Sequence, residues 1–474
     1  MRKANTHTLY WIGITLVLFP ILVVLGIYMR TVQFGQLPAT QSWFYPMMTL
    51  HGLGMVGVCY AASMACAVDA LRRYIEPSGA ISWLALAGTV AGVVLLLVSV
   101  FLGKFAAGWY FLYPLPMRGN WPAWSTVMFL SAITVLGATW LIWSVDMLRA
   151  IARRYSLSEA LGWHYLAGRT EPEVPPLVLI TTVSLIACVA CLVAGVIALA
   201  LSFADVLGGV RSDALLMKNL TFFFGHVLVN LSMYLGLAVT YEVLPEYAGR
   251  PWKANKIVAL SWNTVLVVFL AAYFHHLYMD FVQPVVVQYI GQVASYISSI
   301  PAAVVTLFGA LMLVYRSKMR WNLASILLFV GLAGWAIGGV GAVIDSTILV
   351  NMKFHNTLWV PAHFHTYMLM GLMLLVTGYF YHCCQAATEL PEKPSFHNLV
   401  ILLLMVGGYG MLFMFYLSGA ASIPRRFAVY PAELAHGAGY AGLGALFAAL
   451  FLVGLIVFFV EIGKRWIRAF RVAV

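Results

Sequence analysis

The sequence predicts an all-α, polytopic membrane protein that crosses the bilayer twelve times. Of its 474 residues, 63% are hydrophobic and only 9% are charged, whereas a typical soluble domain is about half apolar and about a quarter charged. The mean hydropathy of the chain is +0.92. These values exclude a water-soluble globular enzyme, a disordered chain and a nucleic-acid-binding protein.

Twelve mostly apolar runs are each long enough to cross a membrane, which takes about 20 helical residues. No soluble domain or long linker separates them, so we predict one membrane domain over residues 1–474. The longest polar stretch, Arg149 to Pro176, is expected to be a loop. We number the runs span one to span twelve. Their expected ranges are 9–29, 44–70, 81–103, 123–148, 177–201, 215–244, 256–279, 285–315, 322–350, 358–384, 397–418 and 440–463.

The distribution of Lys and Arg predicts the orientation of the spans, because basic residues accumulate on the cytoplasmic side. With the N-terminus inside, nineteen of the 27 Lys and Arg residues fall on inner segments and eight on outer segments. We therefore expect a multi-pass protein of a bacterial inner membrane, surrounded by lipid, with both termini in the cytoplasm. The net charge of +11 follows from this topology and needs no acidic partner.

Six of the twelve histidines lie inside predicted spans in a way that packing does not explain, and an ionisable side chain there is costly and therefore a candidate for function. At 1.5 Å per helical residue, all of them fall within about 5–20 Å of the outer edge of the bilayer. Histidines that merely pack in the core would not share one depth, so we predict a metal site. The six are His51, His226, His275, His276, His363 and His365.

The spacing of these histidines separates them into sets. His363 and His365 are two residues apart, which places them about 200° apart around a helix, so they face different flanks of span ten. Imidazole suits iron, copper and zinc, and heme iron commonly takes axial histidine. No CxxCH motif is present, so any heme binds non-covalently. His226, His275 and His276 are left to form a three-coordinate copper site.

Several motifs in order resemble the catalytic subunit I of heme–copper oxidases, over essentially all twelve spans and most of all in the B-type branch. Any one motif would be weak, whereas all of them in sequence are specific. They are His355-Asn-Thr-Leu-Trp-Val-Pro-Ala-His363-Phe-His365, Gly225-His226 followed by Tyr241 and Leu244-Pro245, His275-His276, Gly108-Trp109-Tyr110-Phe-Leu-Tyr113-Pro114, and Ile423-Pro424-Arg425-Arg426.

The resemblance implies two hemes, expected to be b-type, and one copper ion, copper B. It makes His51 and His365 the axial ligands of a low-spin heme and His363 the proximal ligand of a high-spin heme. The copper facing that heme would be held by His226, His275 and His276.

The resemblance also assigns residues to the heme propionates at the outer face. Arg425 and Arg426 would pair with the propionates through their guanidinium groups. His355 and Asp280 lie at the same edge and would join this network, although an ordinary interfacial carboxylate is an open alternative for Asp280.

The chain departs from most of the family at one position. The family usually carries a tyrosine one helical turn after the first copper ligand, His226, but here the residue is Asn230. A second known tyrosine position, on span seven, is Phe269. Tyr234 lies two turns from His226, and Tyr273 projects from the opposite face of its helix, so neither is expected to substitute.

The missing tyrosine favours two-electron chemistry. We expect nitric oxide reduction (2 NO + 2 e⁻ + 2 H⁺ → N₂O + H₂O), as in the copper-containing nitric oxide reductases on the oxidase side of the family. The first alternative is a cytochrome c oxidase that reduces dioxygen to water, with or without proton pumping. The second is a non-catalytic heme protein that conducts electrons through the membrane.

The sequence signals for the proton path and for the electron donor are less specific than those for the metal ligands. Tyr241, Ser298, Ser299 and Thr306 are candidates for a proton path from the inside, although hydroxyls between helices often serve packing alone. The chain has no binuclear copper motif and no covalent heme motif. We therefore expect a small partner subunit that carries copper A or heme c and accepts electrons from a cytochrome c-like or cupredoxin donor.

The predicted topology can be tested with reporter fusions. A reporter that is active only in the cytoplasm should be active at Val474, and one that is active only outside should be active within the Pro424–Arg426 loop. A reporter active outside at Val474 would mean an odd number of spans and would contradict the shared depth of the histidines.

Overall fold

The computed structural model describes residues 5–388 and 390–473, and within them it is a bundle of helices with one isolated β-bridge, between Thr357 and Pro424. Three residues named above lie outside the described residues. They are Arg2 and Lys3, which belong to the nineteen basic residues of the inner segments, and Val474, the site of the reporter fusion. Span one packs along span twelve, so the first and last helices of the chain are neighbours in the bundle.

Twelve helices in the described residues are long and apolar enough to cross a membrane, which confirms the predicted number. Most of them extend several residues beyond their predicted ends, because a helix continues into the polar interface where an apolar run stops. Their bounds are Thr6–Phe34, Gln41–Leu71, Gly79–Leu102, Ala123–Arg154, Pro176–Gly208, Ala214–Ala248, Lys256–Leu277, Val285–Val314, Leu323–Asp345, Trp359–Thr388, Pro394–Ala420 and Gly437–Ala473.

Two predicted boundaries are wrong. The first is the end of span nine, which stops at Asp345 and is followed by a separate short helix, Ile348–Phe354. The Asn351 side-chain amide donates to the Asp345 carbonyl at 2.8 Å. A free carbonyl at a helix end needs such a donor, so this bond stabilises the early end of the span.

The second is the stretch predicted as a loop from Arg149, which begins as helix because span four runs to Arg154. It also contains two four-residue helices, Leu157–Ala160 and Trp163–Leu166. The first of these starts at a capping box in which Ser156 and Glu159 bond each other's backbone N–H groups.

Span ten is the central helix of the bundle. In its most apolar 18-residue window, 94% of the residues are buried, against 72% for span two, the next highest. Glycines of span nine allow this enclosure: a Cβ on Gly334 would lie 2.0 Å from the Met370 carbonyl oxygen, and one on Gly338 would lie 2.8 Å from the Tyr367 Cα. Small residues are the usual means by which membrane helices pack backbone to backbone.

The helical winding is irregular at both segments that carry neighbouring histidines. Span ten changes from α to π geometry directly after His365, over Thr366–Met373. Span seven ends in a 3₁₀ segment, Tyr273–Leu277, that contains His275 and His276. Such departures from α geometry are frequent at functional sites.

The contact between spans nine and ten can be tested with two adjacent glycines. We expect Gly338→Ala to destabilise the protein by about 1–3 kcal/mol, because the new methyl group would meet rigid backbone. A methyl group added at Gly339 would have no neighbouring atom within 4 Å, so Gly339→Ala should be neutral or stabilising. Thermal unfolding of the two purified variants measures the difference, and equal midpoints would contradict the assigned contact.

Candidate functional site

The histidines of spans six and seven form a compact cluster. The ligand atoms of His226, His275 and His276 all lie within 4.8 Å of one another, and among the described residues this is the one such group of three or more metal-ligating side chains. The Nδ1 atom of His226 is 3.2 Å from Nε2 of His276. Three imidazoles at this spacing can converge on one cation of the kind that histidine prefers.

Local helix geometry and a serine orient this cluster. His275 and His276 both lie in the 3₁₀ segment that ends span seven, with ring centroids 4.2 Å apart. Ser295 of span eight donates its hydroxyl to the Gly291 carbonyl at 2.6 Å and lies 2.9 Å from Nδ1 of His275. The serine oxygen therefore accepts from Nδ1–H, which leaves Nε2 of His275 free for a metal.

His363 of span ten faces the same space. A cavity of about 140 Å³ is lined by His363 together with the three clustered histidines, and by Asn230 and Tyr367. Gly341 of span nine lies behind the His363 ring, where a Cβ would be 2.9 Å from Nδ1. The structure thus brings four of the six predicted ligands around one cavity.

The other two histidines meet on the opposite flank of span ten. The rings of His51 and His365 have centroids 6.1 Å apart and planes inclined by 17°. Their Nδ1–H groups donate to the carbonyls of Leu22 and Pro361, each at 2.7 Å. Both Nε2 atoms are therefore available as ligands. Two metal–nitrogen bonds of about 2 Å, plus the offset of about 1 Å from each ring centre, require about the centroid separation that is found. The pair fits the axial ligands of a heme.

The loop before span four packs over this region. The Gly108 N–H donates to the Thr49 hydroxyl at 2.9 Å, which ties the loop to span two just before His51. Trp109 stacks on Phe364, the residue between the two span ten ligands, with centroids 6.2 Å apart. The loop that resembles the family pattern therefore lies against both candidate heme sites.

The paired arginines lie in the loop after span eleven, next to the start of span ten. The Arg425 guanidinium donates to the Asn356 side-chain oxygen at 2.8 Å, and the Arg426 guanidinium lies 3.8 Å from the centre of the Tyr110 ring. Burial, and then the neighbouring Arg426, lower the pKa of Arg425 to about 9, and burial lowers the pKa of Arg426 as well. Two adjacent, half-buried cations fit an anionic group such as a heme propionate.

His355 and Asp280 lie near the paired arginines but differ in their surroundings. Burial, and then the charge of Arg425, lower the pKa of His355 to about 4. Asp280 accepts from the Lys218 ammonium at 2.6 Å. This ion pair fits the interfacial alternative for Asp280.

Asn230 is hydrogen-bonded on both sides of its amide. Its Nδ2 donates to the His226 carbonyl at 2.8 Å and lies 3.4 Å from Nε2 of the same histidine. Its Oδ1 accepts from the Tyr367 hydroxyl at 3.1 Å. The amide therefore links the first ligand of the cluster to span ten.

Tyr367 was not among the candidates from the sequence, where the tyrosines considered lay on spans six and seven. Tyr367 lies four residues after His363, and residues i and i+4 share a helix face, so this spacing could have identified it. The two dismissed tyrosines are directed elsewhere: Tyr234 packs on Trp262 with centroids 5.2 Å apart, and Tyr273 donates to Asn219 at 3.2 Å.

The proton-path candidates form two groups that do not touch. Tyr241 and Thr306 share a hydrogen bond of 2.7 Å. Ser298 and Ser299 donate to the Ser295 carbonyl and line the histidine cavity. About two helical turns of span eight separate Thr306 from Ser299.

One further residue beside the low-spin candidate pair was not predicted from the sequence. The Arg30 side chain of span one is 5% exposed, and its guanidinium donates to Gln33 at 2.7 Å and lies 4.7 Å from the centre of the Phe415 ring. Its Nε and Nη2 atoms have no hydrogen-bond partner among the described residues. A buried guanidinium with free donors fits a site that accommodates a polar or anionic substituent.

The bundle and its two histidine sets define a class of protein: a membrane oxidoreductase whose ligands fit two heme irons and one copper. The comparisons with known proteins agree. The family model described as "Cytochrome C and Quinol oxidase polypeptide I" matches residues 6–460. The chain belongs to this family, whose members are heme–copper oxidoreductases of the membrane.

Curated relatives and a solved structure are similar over most of the chain. Cytochrome c oxidase subunit 1 of Thermus thermophilus is 23% identical over 445 residues, covering 89% of this chain and 76% of the relative. Cytochrome c oxidase subunit 1 of Cereibacter sphaeroides is 24% identical over 404 residues, covering 81% and 67%. A heme-copper terminal oxidase dimer solved by cryo-EM has a TM-score of 0.78 at 20% identity, covering 98% of this chain and 84% of that chain. The fold is therefore that of heme–copper oxidase subunit I.

The two histidine sets can be tested separately. We expect His226→Ala to lose copper and turnover but to keep the low-spin heme spectrum, because His51 and His365 lie on other helices. His51→Ala should remove the low-spin signal. Metal analysis and reduced-minus-oxidised spectra of both variants measure this, and full copper content in His226→Ala would show that the copper ligands are wrongly assigned.

Proposed function

We propose that this chain is the catalytic subunit of a respiratory nitric oxide reductase with two b-type hemes and copper B. The observation that carries the proposal is Asn230, which lies one turn after His226 and lines the cavity between His363 and the three-histidine cluster. An amide cannot be oxidised as a phenol can. The site is thus suited to a reaction in which two electrons from the bound metals suffice.

The cavity lining supports a small, uncharged substrate. Beside the histidines it consists mainly of apolar side chains, among them Phe222, Phe224 and Val229. The Asn230 amide supplies hydrogen-bonding capacity next to His226. An apolar pocket with a few polar groups is the usual form of a site for a small neutral molecule.

Span ten supports the route of electrons. His365 and His363 are two residues apart on one buried helix, so the low-spin heme would lie beside the site where substrate is reduced. In the predicted orientation, both sets of ligands lie in the outer half of the bundle. This depth favours entry of electrons from outside, through a partner subunit with copper A or heme c that is supplied by a cytochrome c-like or cupredoxin donor.

Protons would come from the inner side, where Tyr241 and Thr306 are hydrogen-bonded. The neighbouring Glu242 accepts from Tyr74 at 2.9 Å and from Arg73 at 2.7 Å, so a carboxylate stands at the inner end of span six. From Thr306 the path would continue along span eight to Ser299 and Ser298. We place the chain in a bacterial inner membrane as a single domain, with both termini in the cytoplasm.

Dioxygen reduction is a second candidate with its own supporting observation. Tyr367 brings a buried phenol into the cavity, 3.1 Å from the Asn230 amide, and the relatives described above are cytochrome c oxidase subunits. A non-catalytic electron conduit would need two axial histidines for each heme and no further ligands. The three-histidine cluster argues against that conduit, and a copper content near one per chain would exclude it.

Turnover with each gas tests the proposal directly. We expect the purified complex to reduce NO faster than dioxygen when both are measured with the same donor, because Asn230 supplies no local electron for cleavage of dioxygen. Asn230→Tyr should increase the rate of oxygen reduction. Faster reduction of dioxygen than of NO, without release of peroxide, would overturn the proposal and favour the oxidase.

A further inference from the structure

Tyr367, Asn230 and His226 form a continuous hydrogen-bonded chain that crosses from span ten to span six. A backbone carbonyl only accepts, so the bond of 2.8 Å to the His226 carbonyl identifies the Asn230 nitrogen as donor. The amide oxygen then points to Tyr367, which must donate across the remaining 3.1 Å. The orientation of the amide is therefore set by two bonds, one from each helix.

The position of Tyr367 is itself fixed by close packing. The residue is 8% exposed and lies in the π segment that follows His365. Gly338 of span nine contacts its backbone, since a Cβ there would be 2.9 Å from the Tyr367 nitrogen. The ring lies 6.3 Å from that of His363, between centroids. The phenol thus belongs to the rigid helix that carries the ligands of both candidate hemes.

We propose that Tyr367 is a positioning residue for the copper ligand His226 and acts on it through Asn230. The tyrosine holds the amide, and the amide nitrogen donates to the backbone carbonyl of His226, which ties the turn that carries this ligand to span ten. Residues that orient a ligand in this way commonly change metal affinity about 10–100-fold when they are altered. The inference rests on the copper site of the proposed function, but it does not depend on whether NO or dioxygen is the substrate.

Tyr367→Phe removes the hydroxyl and keeps the ring. The Asn230 oxygen then loses its donor at a half-buried position, where an unpaired acceptor is costly, and we expect the amide to rotate toward another partner. We expect copper to be held about 10-fold or more less tightly. The measurement is copper retained per heme when the purified holoenzyme is dialysed against increasing concentrations of the copper(I) chelator bathocuproine disulfonate.

A double-mutant cycle distinguishes positioning through Asn230 from a general effect on packing. In an Asn230→Leu background, which lacks the amide, Tyr367→Phe should cause no further loss of copper affinity. Tyr416→Phe is the matched control, because its hydroxyl lies 3.2 Å from Thr366, the neighbour of Tyr367 in the same π segment. This control should leave copper retention unchanged.

Three results would overturn the inference: unchanged copper retention in Tyr367→Phe, an equal loss in both backgrounds, or an equal loss in Tyr416→Phe. The low-spin heme spectrum, which should stay unchanged in every variant, reports on the fold. A wild-type protein without copper would overturn the copper site of the proposed function, and this inference with it. Copper that is bound normally but is insensitive to Tyr367 would overturn the inference alone.

Discussion

The structure depends on one constraint: a single buried helix must present metal ligands to two different sites. Span ten carries His363 toward the copper-ligand cluster and His365 toward His51, and almost all of its apolar window is enclosed by other helices. A helix enclosed on all sides inside a membrane has no water to solvate its polar groups. Its neighbours must therefore approach closely, which explains the glycines of span nine. Three of the ligand histidines, His51, His275 and His365, have hydrogen-bond partners for Nδ1.

Those partners are mostly backbone and serine oxygens rather than carboxylates. Leu22 and Pro361 accept from the low-spin pair, and Ser295 accepts from His275. Each of these bonds commits Nδ1 as a donor and leaves Nε2 as a neutral ligand, which a metal requires. Neutral acceptors achieve this without placing an additional charge in the membrane, where it would be costly. The two adjacent arginines, Arg425 and Arg426, lie instead in the loop after span eleven, where they can meet a propionate.

The features that depend on helical periodicity and hydropathy alone could be predicted from the sequence. The number of spans and the opposite flanks of His363 and His365 depend only on residue spacing, and the structure has both. The end of span nine at Asp345 depends on a side chain six residues later, and the partners of the ligand histidines are largely main-chain atoms that no residue pattern identifies. The contact between Tyr367 and Asn230 is not evident from the sequence, because the two residues are 137 positions apart in the chain.

The chemistry of the cavity then depends on which group touches His226. In this chain an amide lies against that histidine, and a phenol lies one hydrogen bond further away on another helix. A phenol in this position can orient the amide through the hydrogen bond of 3.1 Å. The proposed two-electron reduction of NO makes no demand on either group beyond hydrogen bonding. This arrangement supports the proposed site, in which Asn230 and Tyr367 hold the copper ligand in place while the metals supply the electrons.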